Sequence, residues 1–119
     1  MSEYRLERIG RLIQELIGSL IVEGRIKDPR VDPLLSITRV KVSRDLSFAD
    51  VYVSGYRTFE GIPKGVEGLQ SAAGFIQAQL NAGMRLRQIP RLRFHEDKGI
   101  REGFEMIKKI EGLVHNDGP

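Results

Sequence analysis

Residues 38–54 read Thr-Arg-Val-Lys-Val-Ser-Arg-Asp-Leu-Ser-Phe-Ala-Asp-Val-Tyr-Val-Ser. Apolar and polar side chains alternate in both halves of this stretch, as expected for two strands whose side chains point to opposite faces in turn. The apolar sets are Thr38, Val40 and Val42, then Ala49, Val51 and Val53. The Ser-Arg-Asp-Leu-Ser segment between them predicts a hairpin. A sheet with one apolar face packs on that side only, which leaves Arg39, Lys41 and Tyr52 on the open face.

An amphipathic helix is predicted before the hairpin. Ser2 can cap its start, and Gly24 is a plausible stop. Its apolar positions recur every three or four residues, namely Leu6, Ile9, Ile13, Leu16, Ile17 and Leu20. Pro29 and Pro33 then predict a loop.

A second helix is predicted after the hairpin. Residues 55–65 are rich in glycine and favour a loop, and helical periodicity follows at Val66, Leu69, Ala73, Ile76, Leu80 and Met84. Gly74 interrupts this helix, where glycine costs about 1 kcal/mol relative to alanine. Two explanations stay open: a neighbour packs closely at Gly74, or the helix bends there.

The last predicted elements are a short strand and a helix. Arg91, Arg93 and His95 alternate with Leu92 and Phe94, and Asp97 stands where a helix cap belongs. The final amphipathic helix has its apolar stripe at Ile100, Phe104, Ile107, Ile110 and Val114. The predicted order is α-β-β-α(kinked at Gly74)-β-α, an α+β fold with helices on one face of a three-stranded sheet. We expect one domain over residues 1–114 and a short tail at 115–119.

An arginine run gives the strongest functional signal. Residues 84–95 hold Arg85, Arg87, Arg91 and Arg93, and no acidic residue occurs between Glu67 and Glu96. The whole chain is nearly balanced, with 19 basic and 16 acidic side chains, so the excess is local. The planar guanidinium group matches phosphate oxygens two at a time. The run therefore predicts a nucleic-acid contact.

Other cations and one aromatic residue are weaker candidates. Two interpretations stay open for the hairpin cations Arg39, Lys41 and Arg44. They bind RNA, or they are solvated side chains on an exposed strand face. Arg5, Arg8 and Arg11 have Glu7 and Glu15 within about one helical turn, which favours intrahelical ion pairs. Tyr52 either stacks on a base or packs across the sheet.

Composition excludes several classes of protein. The 119 residues include no cysteine, so disulfides and thiolate metal sites are absent. No stretch is long and apolar enough to span a bilayer, and the first residues lack a signal-peptide core. We therefore expect a cytoplasmic protein. His95, Glu96 and Asp97 are poorly spaced for a metal, and no Walker loop or nucleophile elbow is present, so no cofactor or metal is expected.

In motif order and spacing, nearly the whole chain resembles the ribosome-binding factor A family, whose members have a type II KH-like fold. The matching runs are Asp28-Pro29-Arg30, Val-Lys-Val-Ser-Arg-Asp-Leu at 40–46, Ala-Asp-Val-Tyr-Val-Ser at 49–54, Ala72-Ala73-Gly74, Arg87-Gln88-Ile89-Pro90 and Phe94-His95-Glu96-Asp97. After Asp97 the chain has Lys98 and Gly99, where many relatives have a serine that helps to cap the last helix.

The resemblance implies a non-enzymatic factor that binds the 30S ribosomal subunit and 16S rRNA during late maturation, with a role in cold adaptation and assembly GTPases acting alongside. It implies a helix kink at Ala72 and Gly74 in place of the phosphate-gripping Gly-x-x-Gly loop of other KH domains. Gly65 and Gly68 have that spacing, but they precede the predicted helix and enclose Glu67, so we do not expect a grip loop there. We expect a monomer.

Two other functions are compatible with the same patterns. A ferredoxin-like protein-interaction module would pair its open sheet face with another chain, and its association would be insensitive to salt. A small RNA-processing enzyme would need a metal or an acid–base pair, and its turnover would be lost when His95 or Asp97 is replaced.

Overall fold

The computed structural model describes residues 2–55 and 61–99. Their elements are α1 (Glu3–Val22), β1 (Ser36–Val42), β2 (Phe48–Ser54), α2 (Gly61–Ser71), α3 (Ala73–Gly83) and β3 (Arg91–Glu96). This arrangement confirms the predicted α+β fold, with the second helix divided into two. The predicted last helix, from Ile100 to Val114, and the tail at 115–119 lie outside the described residues.

The three strands form one sheet in the order β1-β2-β3. Strands β1 and β2 are antiparallel, with Val42 opposite Ala49 and a register shift between Ile37 and Arg39. Strand β3 is parallel to β2, with Val51 opposite Phe94. Parallel neighbours need a long crossover connection, and α2 and α3 supply it.

The core lies between the helices and one face of the sheet. Ala49, Val51 and Val53 of the central strand are fully buried, as are Ile13 and Ile17 of α1. Helix α1 packs mainly on β1, and α2 packs mainly on β3. No helix of residues 2–55 and 61–99 packs on the other face of the sheet, as its alternating pattern predicts.

The ends of α1 follow the predicted signals. The Ser2 hydroxyl accepts a hydrogen bond from the Arg5 amide at 3.3 Å, which caps the first turn. The helix ends at Val22, and Gly24 adopts a φ of +66°, a left-handed conformation that glycine reaches at least cost.

The predicted loop over residues 55–65 is wrong from Gly61 onward, because α2 begins there. Pro63 misled the prediction: it lies in the first turn of the helix, where backbone N–H groups have no intrahelical partner, so proline costs little. Gly65 and Gly68 consequently lie inside α2. They are buried against the 28–35 loop, where an added Cβ would lie 2.6 Å from Leu35 Cδ1 and 2.9 Å from Val31 Cγ2. These glycines serve helix packing.

The kink in the second helical region is centred on Ala72. This residue separates α2 from α3 and has φ −88° and ψ 5°. Gly74 follows in the first turn of α3, exposed, and an added Cβ there would meet nothing within 4 Å. A closely packed neighbour therefore does not explain why glycine interrupts this helical region. The other explanation, a bend of the helix, agrees with the kink at Ala72.

Helix α1 crosses β1 at Gly10, and this contact generates a stability prediction. An added Cβ at Gly10 would lie 2.8 Å from the backbone oxygen of Val40, whereas at Gly18 of the same helix it would meet nothing within 4 Å. We expect Gly10→Ala to lower the free energy of unfolding by on the order of 1–3 kcal/mol through overpacking. Gly18→Ala, the matched control, should raise it by about 0.5–1 kcal/mol. Urea denaturation measures both, and equal effects of the two substitutions would contradict the crossing geometry.

Candidate nucleic-acid interface

The open sheet face carries polar side chains from all three strands in register. Lys41, Asp50 and Arg93 lie opposite one another across the sheet. The next row consists of Arg39, Tyr52 and His95, and Phe48 lies opposite Arg91. We call this set the sheet face. It includes four of the seven cations that the sequence singled out, namely Arg39, Lys41, Arg91 and Arg93.

Asp50 lies at the centre of the sheet face and binds two of its neighbours. Arg93 donates from Nε to Oδ1 at 3.0 Å and from Nη2 to Oδ2 at 3.2 Å, and His95 Nε2 lies 2.8 Å from Oδ1. Burial of the carboxyl group raises its pKa, but hydrogen bonds from His95 and Arg93 outweigh burial and lower the pKa of Asp50 below its ordinary value. Asp50 is only 25% exposed, so it stays beneath the cations.

The arginine run has no acidic residue within it, yet Arg93 has an acidic partner in the folded chain. Asp50 is far away in the sequence, and only the pairing of β2 with β3 brings it opposite Arg93. The pair leaves Arg93 49% exposed, but its charge is largely compensated.

Aromatic rings lie beneath two of the guanidinium groups. Arg39 Cζ is 4.3 Å from the centre of the Tyr52 ring, and Arg93 Cζ is 4.2 Å from that of Phe48. The Tyr52 and His95 ring centres are 5.3 Å apart. Tyr52 thus packs across the sheet and also supports a cation, which the negative face of its ring attracts.

The hairpin extends the positive surface along the edge of β1. Arg39, Lys41 and Arg44 line a groove of about 460 Å³ beside the first turns of α1, whose Glu3 and Glu7 form its other wall. Arg44 Nη2 is 3.9 Å from Glu3 Oε1, and both side chains are more than four-fifths exposed, so this ion pair is weak. Within the described residues, Arg39, Lys41 and Arg91 form no ion pair.

The arginine run is divided between two surfaces. Arg91 and Arg93 lie on the sheet face, whereas Arg85 and Arg87 lie in the segment between α3 and β3. Arg85 lines a groove on the helical side with Arg5 and Arg8 of α1. The intrahelical ion pairs expected for Arg5, Arg8 and Arg11 do not form in the described part of the chain.

A third positive site lies at the kink. Arg25 and Lys27 line a cavity of about 330 Å³ with Ala72 and Phe75, and Phe75 is 42% exposed. Arg25 Nη2 donates to Gln79 Oε1 at 3.0 Å, which orients it toward α3. Asp28 also lines this cavity, and a side-chain hydrogen bond from Arg30 lowers the pKa of Asp28 to about 2. Its carboxylate is therefore ionised, and its charge is compensated by Arg30, whose Nη2 lies 2.8 Å from Oδ2. We did not predict this site, although two cations directly after a helix end were a visible signal.

The described residues contain no group of three or more His, Asp or Glu side chains that could hold a metal. His95 binds Asp50, and Asp97 accepts hydrogen bonds from the Thr38 hydroxyl and, at 3.0 Å, from the Gly99 amide. These bonds lower the pKa of Asp97, the Thr38 bond most strongly. The contact with Gly99 is the one expected of a helix cap. Within the described ranges, no helix has the length and apolar character needed to cross a membrane.

Comparison with known proteins gives a consistent result. A family model described as ribosome-binding factor A matches residues 5–110. The chain is similar to the ribosome-binding factor A of Treponema denticola, with 49% identity over 100% of this chain and 90% of the relative. It is also similar to that of Dictyoglomus thermophilum, with 38% identity over 95% and 93% of the two chains.

Solved structures of the same description resemble the fold. The crystal structure of ribosome-binding factor A from Thermus thermophilus has a TM-score of 0.65 and 28% identity, covering 82% of this chain and 98% of its own. A solution structure from Thermotoga maritima has a TM-score of 0.62 and 34% identity, covering 83% and 92%. A Thermus thermophilus homology model fitted into an electron cryo-microscopy map of a complex with the 30S subunit has a TM-score of 0.52 and 29% identity, covering 72% and 92%.

Asp50 generates a prediction about acid stability. Because the pKa of Asp50 in the folded chain lies below its ordinary value of 3.8, the ionised carboxylate stabilises the fold above about pH 4, and this contribution is lost as the pH falls through the lowered pKa. We expect Asp50→Asn to lower the free energy of unfolding at neutral pH by about 1 kcal/mol, since the contacts are half exposed.

The difference in the free energy of unfolding between the unmodified chain and Asp50→Asn should shrink below about pH 4. Urea denaturation across this pH range measures it, with Glu7→Gln as a control at an exposed carboxylate of α1. A difference that stays constant down to about pH 3 would show that the ion pairs of Asp50 do not stabilise the fold.

Proposed function

The chain belongs to the ribosome-binding factor A family, and from that premise we propose that it is a non-enzymatic assembly factor that binds the 30S subunit and contacts 16S rRNA during late maturation. The proposal extends to a role in cold adaptation, with assembly GTPases acting at the same stage in the cytoplasm. We further propose that residues 1–114 act as one monomeric RNA-binding domain without a cofactor, and that residues 115–119 are a tail.

The sheet face supports this proposal most directly. Arg39, Lys41 and Arg91 form no ion pair within the described residues, and Asp50, which lies opposite Lys41, is already bound by Arg93 and His95. Such a face attracts phosphates along its whole width. Arg93 acts mainly by holding Asp50 in place, and Arg44 adds a further cation at the hairpin.

Ring contacts give the same face a way to hold bases. Tyr52 is half-buried and carries Arg39 on its ring. Arg39 can swing from the ring to a phosphate, which would free Tyr52 to stack on an unpaired base. Phosphate contacts of this kind supply affinity and salt sensitivity without base specificity.

The cavity at the kink, lined by Arg25, Lys27, Ala72 and Phe75, is a second candidate RNA contact, which we call the kink cleft. Arg25 and Lys27 converge there on the bend at Ala72, beside the exposed ring of Phe75. Two cations and an aromatic ring around a helix bend can grip a backbone phosphate and its base. We propose that this cleft and the sheet face contact different parts of the rRNA.

A protein-interaction module would use the same sheet face differently. Protein interfaces are depleted of charged residues at their centre, whereas Lys41, Asp50 and Arg93 lie in a row across the middle of this face. The charge therefore favours a polyanion over a second sheet.

The test is a salt titration of binding to immature 30S particles and to 16S rRNA. Replacing Arg39, Lys41 and Arg91 together with glutamine should weaken binding by about tenfold or more near physiological salt, because each lost phosphate contact removes counterion release. The slope of log K against log salt concentration should become shallower by about 2 for three lost contacts.

A matched control replaces Arg5, Arg8 and Arg85 with glutamine, which removes the same charge from the helical side. We expect this variant to bind RNA with nearly unchanged salt dependence. If the control weakened RNA binding as much as the sheet-face variant, net charge alone would explain the effect. If the sheet-face variant bound normally at every salt concentration, the proposed RNA contact would be wrong.

A further inference from the structure

A second groove lies on the helical side of the molecule, away from the open face of the sheet. It has a volume of about 530 Å³ and runs between α1 and residues 83–86. Its lining residues are Arg5, Arg8, Ile9, Leu12, Leu16, Gly83, Met84, Arg85 and Leu86. We call it the α1 groove.

The floor of the α1 groove is aliphatic and partly open to solvent. Ile9 and Met84 are buried at its base, and Leu12 is 43% exposed. Gly83 lets the segment after α3 approach α1, because an added Cβ there would lie 3.2 Å from Leu16 Cδ1. Leu12 and Leu16 of α1 form one wall of the groove and Leu86 belongs to the other, so aliphatic side chains face its opening.

The rim of the α1 groove is positive throughout. Arg5 and Arg8 project from one wall and Arg85 from the other, and none of the described residues that line the groove is acidic. None of the three forms an ion pair within residues 2–55 and 61–99. An occupant that complements this site carries carboxylates or phosphates at its edges and apolar groups between them.

The aliphatic floor distinguishes between these two kinds of anion. RNA bound in grooves stacks its bases on aromatic rings, and the described residues that line the α1 groove include no aromatic side chain. Leucine and isoleucine side chains of a peptide would fill the floor and bury its exposed apolar surface. A second copy of this chain fits poorly, since an isologous contact would bring six arginines together.

We propose that the α1 groove binds an acidic, leucine-rich segment of a protein partner. The arginines pair with its carboxylates, and Leu12, Leu16 and Leu86 contact its aliphatic side chains. This binding does not rest on the proposed RNA contact, because the sheet face shares no residue with the groove.

The test uses the full chain and a fluorescein-labelled peptide of three Asp-Glu-Leu-Leu repeats, titrated by fluorescence anisotropy. Replacing Arg5, Arg8 and Arg85 with glutamine should weaken peptide binding by about tenfold. Leu12→Gln, at an exposed position that the fold tolerates, should weaken it by about threefold to tenfold.

Two control variants separate the groove from general charge. Arg11→Gln removes one arginine from α1 outside the groove, and we expect a change of less than about twofold. The sheet-face variant with Arg39, Lys41 and Arg91 replaced loses as much charge as the groove variant, and it should bind the peptide nearly as well as the unmodified chain.

Four outcomes would overturn the proposal. The first is equal binding of a peptide of three Asp-Glu-Ser-Ser repeats, because it would show attraction of charge alone. The second is displacement of the probe by oligouridylate, with its own binding lost in the groove variant, because it would make the groove an RNA site. The third is displacement of the probe by a synthetic peptide of residues 100–119 or by self-association of the chain, because it would make the chain itself the occupant of the groove. The fourth is a lack of saturable binding of the labelled peptide.

Discussion

Strand β3 enters the sheet parallel to β2, with Val51 opposite Phe94 and Asp50 opposite Arg93. Most other features of the molecule depend on this pairing. A parallel neighbour requires a crossover, and the bent pair α2 and α3 provides one that also covers the apolar side of the sheet. The same register places the arginines of β3 beside the acid and rings of β2 on the other side. The pairing of β2 with β3 thus positions both the core, on one face of the sheet, and the candidate interface, on the other.

Asp50 shows why a positive surface benefits from one well-placed acid. Arg93 and His95 both bind its carboxylate, so one side chain in each of two neighbouring rows of the sheet face is fixed. The Phe48 ring lies beneath the guanidinium group of the same Arg93, and the Tyr52 ring lies beneath that of Arg39. Arg93 is thus held in place, whereas Arg39, Lys41 and Arg91, which form no ion pair within the described residues, are left for phosphates in the proposed complex. The acid reduces the net charge of the face, and the order it imposes offsets that loss.

The separation of Arg85 from Arg91 has a functional consequence. Residues so close in sequence suggested one contact surface, yet a turn between α3 and β3 sends them to opposite sides of the molecule. One side presents cations over aromatic rings, and the other presents cations over leucines. These two chemistries favour different ligands, so the proposed RNA contact and the proposed protein contact can coexist on one small domain.

Short-range patterns determined most of the secondary structure. Alternation in residues 38–54 and 91–95 predicted all three strands, and apolar periodicity predicted α1, because burial on one face imposes a repeat that a single segment displays. The start of α2 escaped prediction, since Pro63 and the nearby glycines are ambiguous until neighbours are known: Gly65 and Gly68 contact Leu35 and Val31. The pairing of Arg93 with Asp50, the cleft of Arg25 with Phe75, and the groove of Arg5 with Arg85 were decided by tertiary structure alone. Each joins residues that are distant in the chain, and electrostatic contacts depend on distance in space.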